Sequence, residues 1–426
     1  MDRRNFLAGL GVAGALPLFS FKTQETSESA NIKIRDVQMI RVSGTKLSFD
    51  FPYQNQANPL TAYQEFVHPP YPEQKKIKPE KQGISNLYLK ITTDAGPEGF
   101  YGLVDPEAAH VVLSQLRSFL IGKNPLATET LWDQMYRLNR HSRAGHYMMA
   151  ISAVDNALWD LKGKYFNAPV YKLLGGPTRN SIEFYASCLG FSVLPEDVAA
   201  KSMELKNEGY RYQKWFFANG LADGNKGLLK NVELVKVLRE TLGEEYGIMF
   251  DAFNAWDLDY ALEWAKLAEQ YRPGWIEEAF ISDKPDSFAE LRRSTSIPVA
   301  TGEHFYGRWE VAEYLKRGAV DYVQADPEWC GGVSELVKIC HLASVFDVRV
   351  VPHGHNIHAA LHVVASQSPA TCPLGEFLLN WMPSKTHFEK YPIVPVNGTI
   401  ALPDRPGFGI ELDEKKVEKM EVVTSL

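Results

Sequence analysis

Short apolar runs alternate with helical patterns from about residue 152 to residue 377. The runs are four to six residues long and recur every 23 to 35 residues. Amphipathic helical patterns, such as those at 259–271 and 309–317, lie between them. Eight runs are predicted to be strands: 182–186, 212–216, 247–251, 275–278, 299–303, 322–326, 348–353 and 374–377. Because eight strands that alternate with helices are typical of a (β/α)8 barrel, we predict an α/β fold.

The first part of the chain has a different pattern. β-like runs at 34–42 and 87–91 are separated by a long polar loop at 51–83, and helical patterns follow at 107–121 and 131–138. Strands that are followed by helices, rather than alternating with them, are typical of an α+β unit. We therefore predict a separate α+β domain ahead of the barrel.

The chain begins with features of an export signal. Arg3 and Arg4 precede a weakly hydrophobic stretch at 8–21, which the polar run 22–29 follows. This order resembles a twin-arginine signal, and the stretch is shorter than the roughly 20 residues that span a bilayer. We expect residues 1–30 to be a signal and linker, and the remaining chain to be periplasmic or otherwise exported and free of the membrane. A retained membrane anchor and a cytoplasmic protein are the alternatives.

Composition and charge exclude several classes of protein. The 426 residues are 45% hydrophobic and 23% charged, as in an ordinary globular protein, which excludes disordered and fibrous chains. The net charge is −7 and Lys and Arg form no long cluster, so we expect no nucleic-acid partner. The four cysteines lack the spacing of zinc and redox sites, and we expect buried thiols. We also expect the chain to form a homo-oligomer.

Ionisable residues cluster at the ends of the predicted strands. Each strand from the second to the eighth has one at or near its end: Lys214, Asp251, Glu277, Glu303, Asp326, His353 and Glu376. The carboxyl ends of barrel strands converge on one face. These groups would therefore meet in one cup, which we interpret as an active site.

Three carboxylates in this cup predict a metal site. Asp251, Glu277 and Glu303 follow one another at intervals of 26 residues. In an apolar barrel mouth they would repel one another unless a cation neutralised them. Ligands that are all oxygen favour a hard ion, and Mg²⁺ keeps positions open for substrate. We predict that these residues bind Mg²⁺; a salt bridge at the barrel rim is the alternative for each acid taken singly.

A histidine at the end of the seventh strand is the candidate base. His353 ends that strand, and Asp326 ends its neighbour. A hydrogen bond between the carboxylate and the imidazole would fix the tautomer of the ring and raise its basicity. We predict that His353 is a general base oriented by Asp326; a structural histidine is the alternative.

Several short motifs resemble a known family. The first set resembles the mandelate racemase and muconate lactonizing enzyme branch of the enolase superfamily: Trp275-Ile276-Glu277-Glu278, Thr301-Gly302-Glu303-His304, Gln324-Ala325-Asp326 and Val351-Pro352-His353-Gly354. The resemblance covers about residues 32–415. A second set, largely scaffold, is most similar to the L-rhamnonate dehydratases within that branch: 153–161, 169–176, 329–332, 395–398 and 406–409.

The resemblance implies a fold and a cofactor. It implies a (β/α)7β modified TIM barrel whose mouth is closed by an α+β cap, built from the N-terminal segment and the C-terminal tail. The implied segments are the cap at 31–150, the barrel with the metal site at 151–378, and a tail at 379–426 that returns to the cap. It also implies Mg²⁺ on the three carboxylates, in agreement with the prediction made from the residues.

The resemblance also implies a chemistry. In this family the metal binds the carboxylate and 2-hydroxyl of an acid sugar and neutralises the enediolate that forms when a base removes the C2 proton. His353 would be that base, and Lys214 would add a cation at the substrate carboxylate. Glu376 would hydrogen-bond the carboxylate or the enediolate; a salt bridge at the rim is its alternative.

One position separates the possible reactions. Racemases of this family carry Lys-x-Lys on the second strand, whereas this chain has Lys214-Trp215-Phe216. Since Phe216 cannot move a proton, loss of the 3-hydroxyl, assisted by protonated His353 or a neighbouring acid, is favoured over racemisation with two bases. We therefore expect a hydro-lyase that forms a 2-keto-3-deoxy sugar acid, as L-rhamnonate dehydratases do. The alternatives are an epimerase or cycloisomerase on a modified sugar acid, and a sugar-acid sensor without turnover.

Substrate contacts are expected from the cap loop and from a residue beside the metal. Where rhamnonate dehydratases carry a His and an Arg in the N-terminal loop, Lys81 is the expected substitute for the Arg, without its bidentate geometry. His304 follows Glu303 and is expected to touch the substrate, and Trp329 is either a core residue or a pocket wall. Three further histidines are expected to lie along a helix and to bind no metal: His355, His358 and His362.

Overall fold

Strands and helices alternate along most of the chain in the computed structural model, which describes residues 32–424. The strands in this range are β1 (Ile34–Leu47), β2 (Lys81–Thr93), β3 (Gly99–Gly102), β4 (Ser181–Ser187), β5 (Tyr212–Phe216), β6 (Gly247–Asp251), β7 (Ile276–Glu277), β8 (Val299–Thr301), β9 (Tyr322–Val323), β10 (Arg349–Val350), β11 (Gly375–Leu378), β12 (Thr399–Ala401) and β13 (Lys419–Val423). The α-helices are α1 (Pro106–Val111), α2 (Arg117–Leu120), α3 (Thr128–Leu138), α4 (His146–Tyr165), α5 (Val170–Leu173), α6 (Pro195–Asn207), α7 (Gly224–Leu242), α8 (Leu258–Ala268), α9 (Pro285–Ser294), α10 (Arg308–Arg317), α11 (Gly332–Val345), α12 (Ile357–Ser366) and α13 (Met382–Lys385). None of the helices between residues 32 and 424 has the length and apolar character that crossing a bilayer requires. The export signal predicted for residues 1–30 lies outside the described residues.

Eight parallel strands form the barrel sheet. Their order is β10-β9-β8-β7-β6-β5-β4-β11, and helices α6 to α12 connect consecutive strands. β12 adds to the sheet by antiparallel pairing with β4. The amide of Val350 in β10 donates a hydrogen bond at 2.8 Å to the carbonyl of Thr371, which lies four residues before β11. The (β/α)7β barrel implied by the resemblance is confirmed.

All eight predicted strands are present, but several end earlier than predicted. β5 and β6 have the predicted bounds. In contrast, β8 ends two residues before Glu303, β9 three before Asp326 and β10 three before His353. The backbone leaves the ladder at these points; Gly302, for example, has a φ of +122°, which favours glycine. Turns that follow the strands therefore carry these three side chains.

A four-stranded antiparallel sheet forms the cap, in the order β13-β1-β2-β3. β1 and β2 pair along nearly their whole length, from Ile34 opposite Thr93 to Leu47 opposite Lys81. β13 comes from the C-terminal tail and pairs with β1. The cap is therefore built from both ends of the described chain, as the resemblance implied.

The hydrophobic pattern does not predict several features outside the barrel strands. β2 begins at Lys81, inside the loop predicted at 51–83. The helix predicted at 107–121 is interrupted by a π-helical turn at Val112–Leu116. β3, β12 and β13 were not predicted either. These strands are three to five residues long, and runs of that length show little periodicity.

Helix α4 joins the cap to the barrel. Most of its 20 residues are buried, and its polar side chains bond to the segment that follows β9. Asp155 accepts hydrogen bonds from the amide and the hydroxyl of Ser334, at 2.9 and 2.7 Å. Asn156 donates to the carbonyl of Pro327 at 3.0 Å, one residue after Asp326. Helix α4 thus supports the turn that carries Asp326.

Candidate active site

A buried lysine lies among three carboxylates at the barrel mouth. The Nζ of Lys214, on β5, lies 3.2 Å from Asp251 Oδ2 and 2.9 Å from Glu376 Oε1, and it also contacts Glu277. The acids come from β6, β11 and β7, and all four side chains are buried. The structure thus brings together four of the seven ionisable residues predicted to meet in the cup.

The charges in this cluster are unbalanced. Burial and neighbouring acids raise the pKa of Asp251, and they raise that of Glu277 to about 8, although Lys214 opposes both shifts. Burial opposes the charge of Lys214, but the carboxylates of Glu277 and Glu376 hold its pKa well above the ordinary value. One ammonium group does not neutralise several buried carboxylates. A further cation would stabilise the ionised acids.

His353 and Asp326 form a hydrogen-bonded pair beside the cluster. His353 Nδ1 lies 2.6 Å from Asp326 Oδ2, and Asp326 also accepts hydrogen bonds from the amides of Glu328 at 2.7 Å and His355 at 3.2 Å. The other ring nitrogen, Nε2, lies 3.7 Å from Glu303 Oε2 and makes no hydrogen bond within residues 32–424. An imidazole that is held at Nδ1 and open at Nε2 is the arrangement of a general base.

Neighbouring acids favour the protonated form of His353. Burial opposes the charge of the ring, but Glu303 and Asp326 raise the pKa of His353 to about 9. In turn, His353 and His304 hold the pKa of Glu303 below its ordinary value, against the effect of burial. A cation bound at Glu303 would weaken its attraction for the imidazolium, and the pKa of His353 would fall towards neutral pH.

A further group of potential ligand atoms surrounds Glu303. His304 Nε2 lies 3.2 Å from Glu303 Oε1 and 4.0 Å from Glu278 Oε1, and each of the three residues offers an atom within 4.8 Å of the other two. Asn254 donates a hydrogen bond to Glu278 at 2.7 Å. Strand alternation predicts that Glu277 and Glu278 face opposite sides, but Glu278 has a left-handed φ of +45°, which interrupts the alternation. The sequence prediction therefore missed Glu278, although the tandem Glu277-Glu278 was the available signal.

Trp329 lines the mouth. Its ring stacks on His353 at a centroid distance of 5.1 Å and on His304 at 5.3 Å, with interplanar angles of 26° and 8°. Its indole donates a hydrogen bond to Asp105 of the cap at 3.0 Å. Of the two alternatives that the sequence left open for Trp329, the structure supports the pocket wall.

Lys81, the lysine predicted to contact the substrate, makes no polar contact with the cup among residues 32–424, whereas an unpredicted lysine of the tail contacts His355. Lys81 begins β2, is exposed, and no hydrogen bond or ion pair in the described range joins it to the cup. Lys385 of α13 instead lies with its Nζ 3.1 Å from His355 Nδ1. It was missed because it follows the barrel in a segment without a regular pattern.

The prediction that His355 lies along a helix is wrong: Asn356 caps α12, so His355 lies in the turn before it.

The two remaining histidines of the run have structural partners. His358 Nε2 lies 2.8 Å from Glu389 Oε1, and His362 Nδ1 accepts a hydrogen bond from the amide of Tyr171 at 3.1 Å. Both lie on α12 and are buried. Among residues 32–424, neither forms a hydrogen bond or ion pair with the carboxylates of the cup. The expectation that they bind no metal stays a prediction.

An apolar cluster lies at the ends of β4, β5 and β11. Phe216 is fully buried and packs with Leu189 and Leu378. It occupies the strand position where racemases of the resembled family carry their second lysine. Nearby residues of the cap loop and the tail also pack together, since the indole of Trp381 donates to the hydroxyl of Tyr53 at 3.3 Å. Phe216 therefore provides no second base.

Comparison with known proteins decides the family. The model of the mandelate racemase / muconate lactonizing enzyme N-terminal domain matches residues 81–175, and the enolase C-terminal domain-like model matches residues 197–416. The chain belongs to the mandelate racemase and muconate lactonizing enzyme family of the enolase superfamily. The two matches include parts of both the cap and the barrel.

Two relatives and one solved structure are similar to most of this chain. L-rhamnonate dehydratase of Saccharopolyspora erythraea is 34% identical over 400 residues, which are 90% of this chain and 97% of that protein. D-galactarolactone cycloisomerase of Agrobacterium fabrum is 32% identical over 341 residues, which are 77% of this chain and 89% of that protein. The crystal structure of rhamnonate dehydratase from Gibberella zeae complexed with Mg is 28% identical, covers 90% of this chain and 95% of that one, and has a TM-score of 0.77.

The acids of this family member are a donor set that fits a divalent cation. Asp251, Glu277 and Glu303 lie at or just beyond the ends of the adjacent strands β6, β7 and β8, and each is at most 5% exposed. Their oxygens are hard ligands, and their charge exceeds that of the nearby Lys214. A bound cation would share the carboxylates of Asp251 and Glu277 with the ammonium group of Lys214. In ligand type and charge these residues therefore fit Mg²⁺; among residues 32–424, the ligand atoms that lie within 4.8 Å of one another are those of Glu278, Glu303 and His304.

Proposed function

We propose that the chain is a Mg²⁺-dependent acid-sugar dehydratase that forms a 2-keto-3-deoxy sugar acid. One observation carries the proposal: His353 pairs with Asp326 at 2.6 Å and directs its open Nε2 towards the carboxylate of Glu303, 3.7 Å away. The L-rhamnonate dehydratase of S. erythraea, at 34% identity, supports the reaction class. An L-rhamnonate-like acid is therefore the first substrate to test.

The proposed metal ligands are Asp251, Glu277 and Glu303. When bound there, Mg²⁺ would act as a Lewis acid towards the substrate carboxylate and 2-hydroxyl, and would stabilise the negative charge that develops after C2 deprotonation. Two of the ligands are already oriented by the protein. The indole of Trp275 donates to Glu277 at 2.9 Å, and the amide of Phe253 donates to Asp251 at 2.9 Å.

His353 is the proposed base. Because its Nδ1–H is donated to Asp326, the lone pair of a neutral ring lies at Nε2, where it can take the C2 proton. The resulting imidazolium lies next to the carboxylates of Asp326 and Glu303, which stabilise it. Asp326 thus orients the base, and Asp326 and Glu303 stabilise the positive charge that His353 carries after the proton transfer.

The same imidazolium is proposed to assist loss of the 3-hydroxyl. His353 would return its proton to the departing hydroxyl, which leaves as water while the C2–C3 double bond forms. The resulting enol then becomes the 2-keto acid, with a solvent proton added at C3. Phe216 stands where a second base would be needed for racemisation, which supports dehydration over racemisation at C2.

Three further side chains are proposed to position the substrate. Lys214 would place a positive charge near the substrate carboxylate. Glu376, whose Oε2 accepts a hydrogen bond from the amide of Gly354 at 2.8 Å, would accept another from the bound acid. His304, with 41% of its side chain exposed beside Glu303, is accessible to a substrate hydroxyl. The role of Lys81 stays a prediction from the sequence.

A cycloisomerase is the second candidate function. The support for it is the D-galactarolactone cycloisomerase of A. fabrum, which is 32% identical. An isomerisation leaves the mass of the substrate unchanged, whereas dehydration lowers it by one water. The two candidates are therefore separated by the product.

Product analysis tests the proposal. Purified protein with Mg²⁺ is incubated with L-rhamnonate, D-galactarolactone and a panel of other sugar acids, and the products are examined by mass spectrometry and with semicarbazide. We expect at least one open-chain acid to lose water and give a semicarbazone, and we expect no turnover in EDTA. A product of unchanged mass would favour the cycloisomerase, and no turnover of any acid would contradict both candidates.

We further propose that residues 1–30 direct export by the twin-arginine route. The support is the Arg3-Arg4 pair ahead of a short apolar stretch. Replacing both arginines with lysine should leave the protein in the cytoplasm, whereas the unchanged chain should reach the periplasm. The same location for both chains would contradict the export proposal. The segment boundaries at 31–150, 151–378 and 379–426 stay predictions.

A further inference from the structure

A second polar site lies between the dyad and the C-terminal tail. Lys385 Nζ lies 3.1 Å from His355 Nδ1 and 2.6 Å from the His355 carbonyl oxygen. The carbonyl of Lys385 accepts a hydrogen bond from Asn86 of β2 at 3.0 Å. The amide of His355 donates to Asp326, the partner of the proposed base. The tail, the cap and the barrel therefore meet at His355, beside the reacting centre.

The lysine fixes the tautomer of His355. An ammonium group donates hydrogen bonds and accepts none, so Nδ1 of His355 is the acceptor and the ring hydrogen lies on Nε2. Burial and the charge of Lys385 lower the pKa of His355 to about 3, and the ring is neutral at ordinary pH. His355 is therefore a neutral donor at Nε2.

This donor has no partner in the described part of the chain. His355 Nε2 is buried and makes no hydrogen bond to any of residues 32–424. The nearest carboxylate oxygen, Asp105 Oδ1, lies 3.8 Å away, which is beyond hydrogen-bond distance. Buried donors are nearly always paired, with protein, water or a ligand. The gap between His355 and Asp105 is therefore a place for a group that both accepts and donates.

A hydroxyl group has these properties. Its oxygen can accept from Nε2–H of His355 while its hydrogen is donated to Asp105, and two hydrogen bonds of ordinary length can meet at one oxygen across 3.8 Å. The gap lies close to the base, since the ring of Trp329 packs on His355 at 4.9 Å and on His353 at 5.1 Å. The hydroxyls of a sugar acid beyond C3 are the groups that we expect to reach this gap when C2 lies at His353.

We propose that His355 and Asp105 form a subsite for a hydroxyl of the acid sugar beyond C3, and that Lys385 is the positioning residue that holds His355 in its donor tautomer. The inference rests on the proposed function, because it requires an acid sugar with C2 at His353. It assigns substrate discrimination to the turn after β10 and to α13. It also explains why the half-buried Lys385 is paired with an uncharged ring.

Binding of two acids of different length tests the subsite. L-rhamnonate carries hydroxyls beyond C3, whereas glycerate ends at C3. Dissociation constants are measured by calorimetry with Mg²⁺ in the His353→Asn background, which prevents turnover. His355→Phe keeps an aromatic ring but removes the donor, and it should weaken L-rhamnonate about tenfold while glycerate stays within about twofold. His355→Gln, which retains an N–H donor, should recover part of the loss.

The positioning role of Lys385 is tested by two measurements, the tautomer of His355 and the preference between the two acids. Neither should change if Lys385 were only structural. Lys385→Met should release the tautomer of His355, seen in its ¹⁵N chemical shifts, and should lower the preference for L-rhamnonate over glycerate, whereas Lys385→Arg should restore both. Lys390→Met is the matched control, because Lys390 is an exposed lysine of the same segment that pairs with Glu411 at 3.5 Å. It should change neither property.

The outcomes separate this inference from the proposed function. Equal weakening of both acids by His355→Phe, or no weakening of either, would overturn the subsite, as would a background protein that binds neither acid. If His355→Phe does not fold, the same binding measurements on His355→Gln and on the Lys385 variants test the subsite instead. A wild-type protein that binds L-rhamnonate with the expected discrimination but turns over no acid would contradict the proposed function and support the subsite.

Discussion

Two buried histidine–carboxylate pairs lie close together on the chain and differ in their surroundings. At the barrel mouth, His353 Nδ1 lies 2.6 Å from Asp326, and its Nε2 lies 3.7 Å from Glu303. Between α12 and the tail, His358 Nε2 lies 2.8 Å from Glu389, and its Nδ1 is buried without a partner among the described residues. Each ring has one nitrogen on a carboxylate, Nδ1 in His353 and Nε2 in His358. Among the described residues, only in the first pair does the other nitrogen lie within 4 Å of a further carboxylate. A carboxylate partner orients an imidazole, and the groups around the second nitrogen decide what the ring can do.

The largest expected effect is a loss of activity when the histidine at the barrel mouth is replaced. His353→Asn removes the group that takes the C2 proton, and turnover of the identified acid should fall about 10²- to 10⁴-fold. Steady-state kinetics measure the loss, and an unfolding midpoint close to that of the unchanged protein shows that the fold is intact. Activity within tenfold of the unchanged protein would remove His353 from the role of base.

The second prediction concerns the pair at the tail. His358→Ala leaves Glu389 buried without its partner, and the free energy of unfolding should fall by about 3–5 kcal/mol. Turnover per folded molecule should stay within a few fold, because His358 does not contact the cup. Urea unfolding and kinetics on the same samples measure both.

A double replacement is the matched control for the tail pair. His358→Leu combined with Glu389→Leu removes both polar partners and should destabilise much less than His358→Ala alone. Equal destabilisation by the single and the double variant would show that packing, and not the pairing of His358 with Glu389, dominates at this position.

The third prediction uses pH to test the pair at the barrel mouth. In metal-free protein the pKa of His353 is raised to about 9, whereas an unfolded histidine titrates near about 6.5. Its protonation therefore stabilises the fold fully below about pH 6.5, and this contribution, of order 1–3 kcal/mol, is lost as the pH rises through about 9. Urea unfolding in EDTA at several pH values should show the decline in the unchanged protein and not in His353→Asn. A decline of the same size in both proteins would contradict the assignment.

The smallest expected effect concerns Lys214. Lys214→Met removes the ammonium group that contacts Asp251, Glu277 and Glu376, so that a metal cation becomes more important for charge balance. The difference in unfolding midpoint between Mg²⁺ and EDTA should increase by about 2–4 °C relative to the unchanged protein. Thermal scans measure it, and a smaller difference than in the unchanged protein would argue against a shared charge cluster.

The barrel and most of its mouth could be predicted because both follow from local patterns. The strands are buried apolar runs, and each polar side chain that interrupts an apolar strand end stands out in the sequence. Lys214, Asp251 and Glu277 lie on the strands where they were expected, and the structure joins the first to the other two. The pair of His353 with Asp326 followed from adjacent strand ends in the same way.

The remaining parts depend on contacts that no local pattern contains. Glu278 lies beside Glu303 and His304 because its backbone is left-handed, which strand alternation cannot indicate. Lys385 contacts His355 only because the tail folds back towards the turn after β10. β13 pairs with β1 across nearly the whole chain, and its few residues show too little periodicity to be recognised.

Transfer of the C2 proton to His353 is the central claim, and isotope exchange tests it most directly. The substrate that the product screen identifies, with deuterium at C2, is incubated in water with the unchanged protein, Mg²⁺ or EDTA, and with His353→Asn. We predict that the unchanged protein with Mg²⁺ releases the deuterium to solvent as the 2-keto-3-deoxy acid forms, with slower turnover than for the unlabelled acid. EDTA should abolish both the release and the product, and His353→Asn should slow both by about 10²- to 10⁴-fold. Deuterium that is retained in the product, or release that continues at the same rate in His353→Asn, would contradict the account.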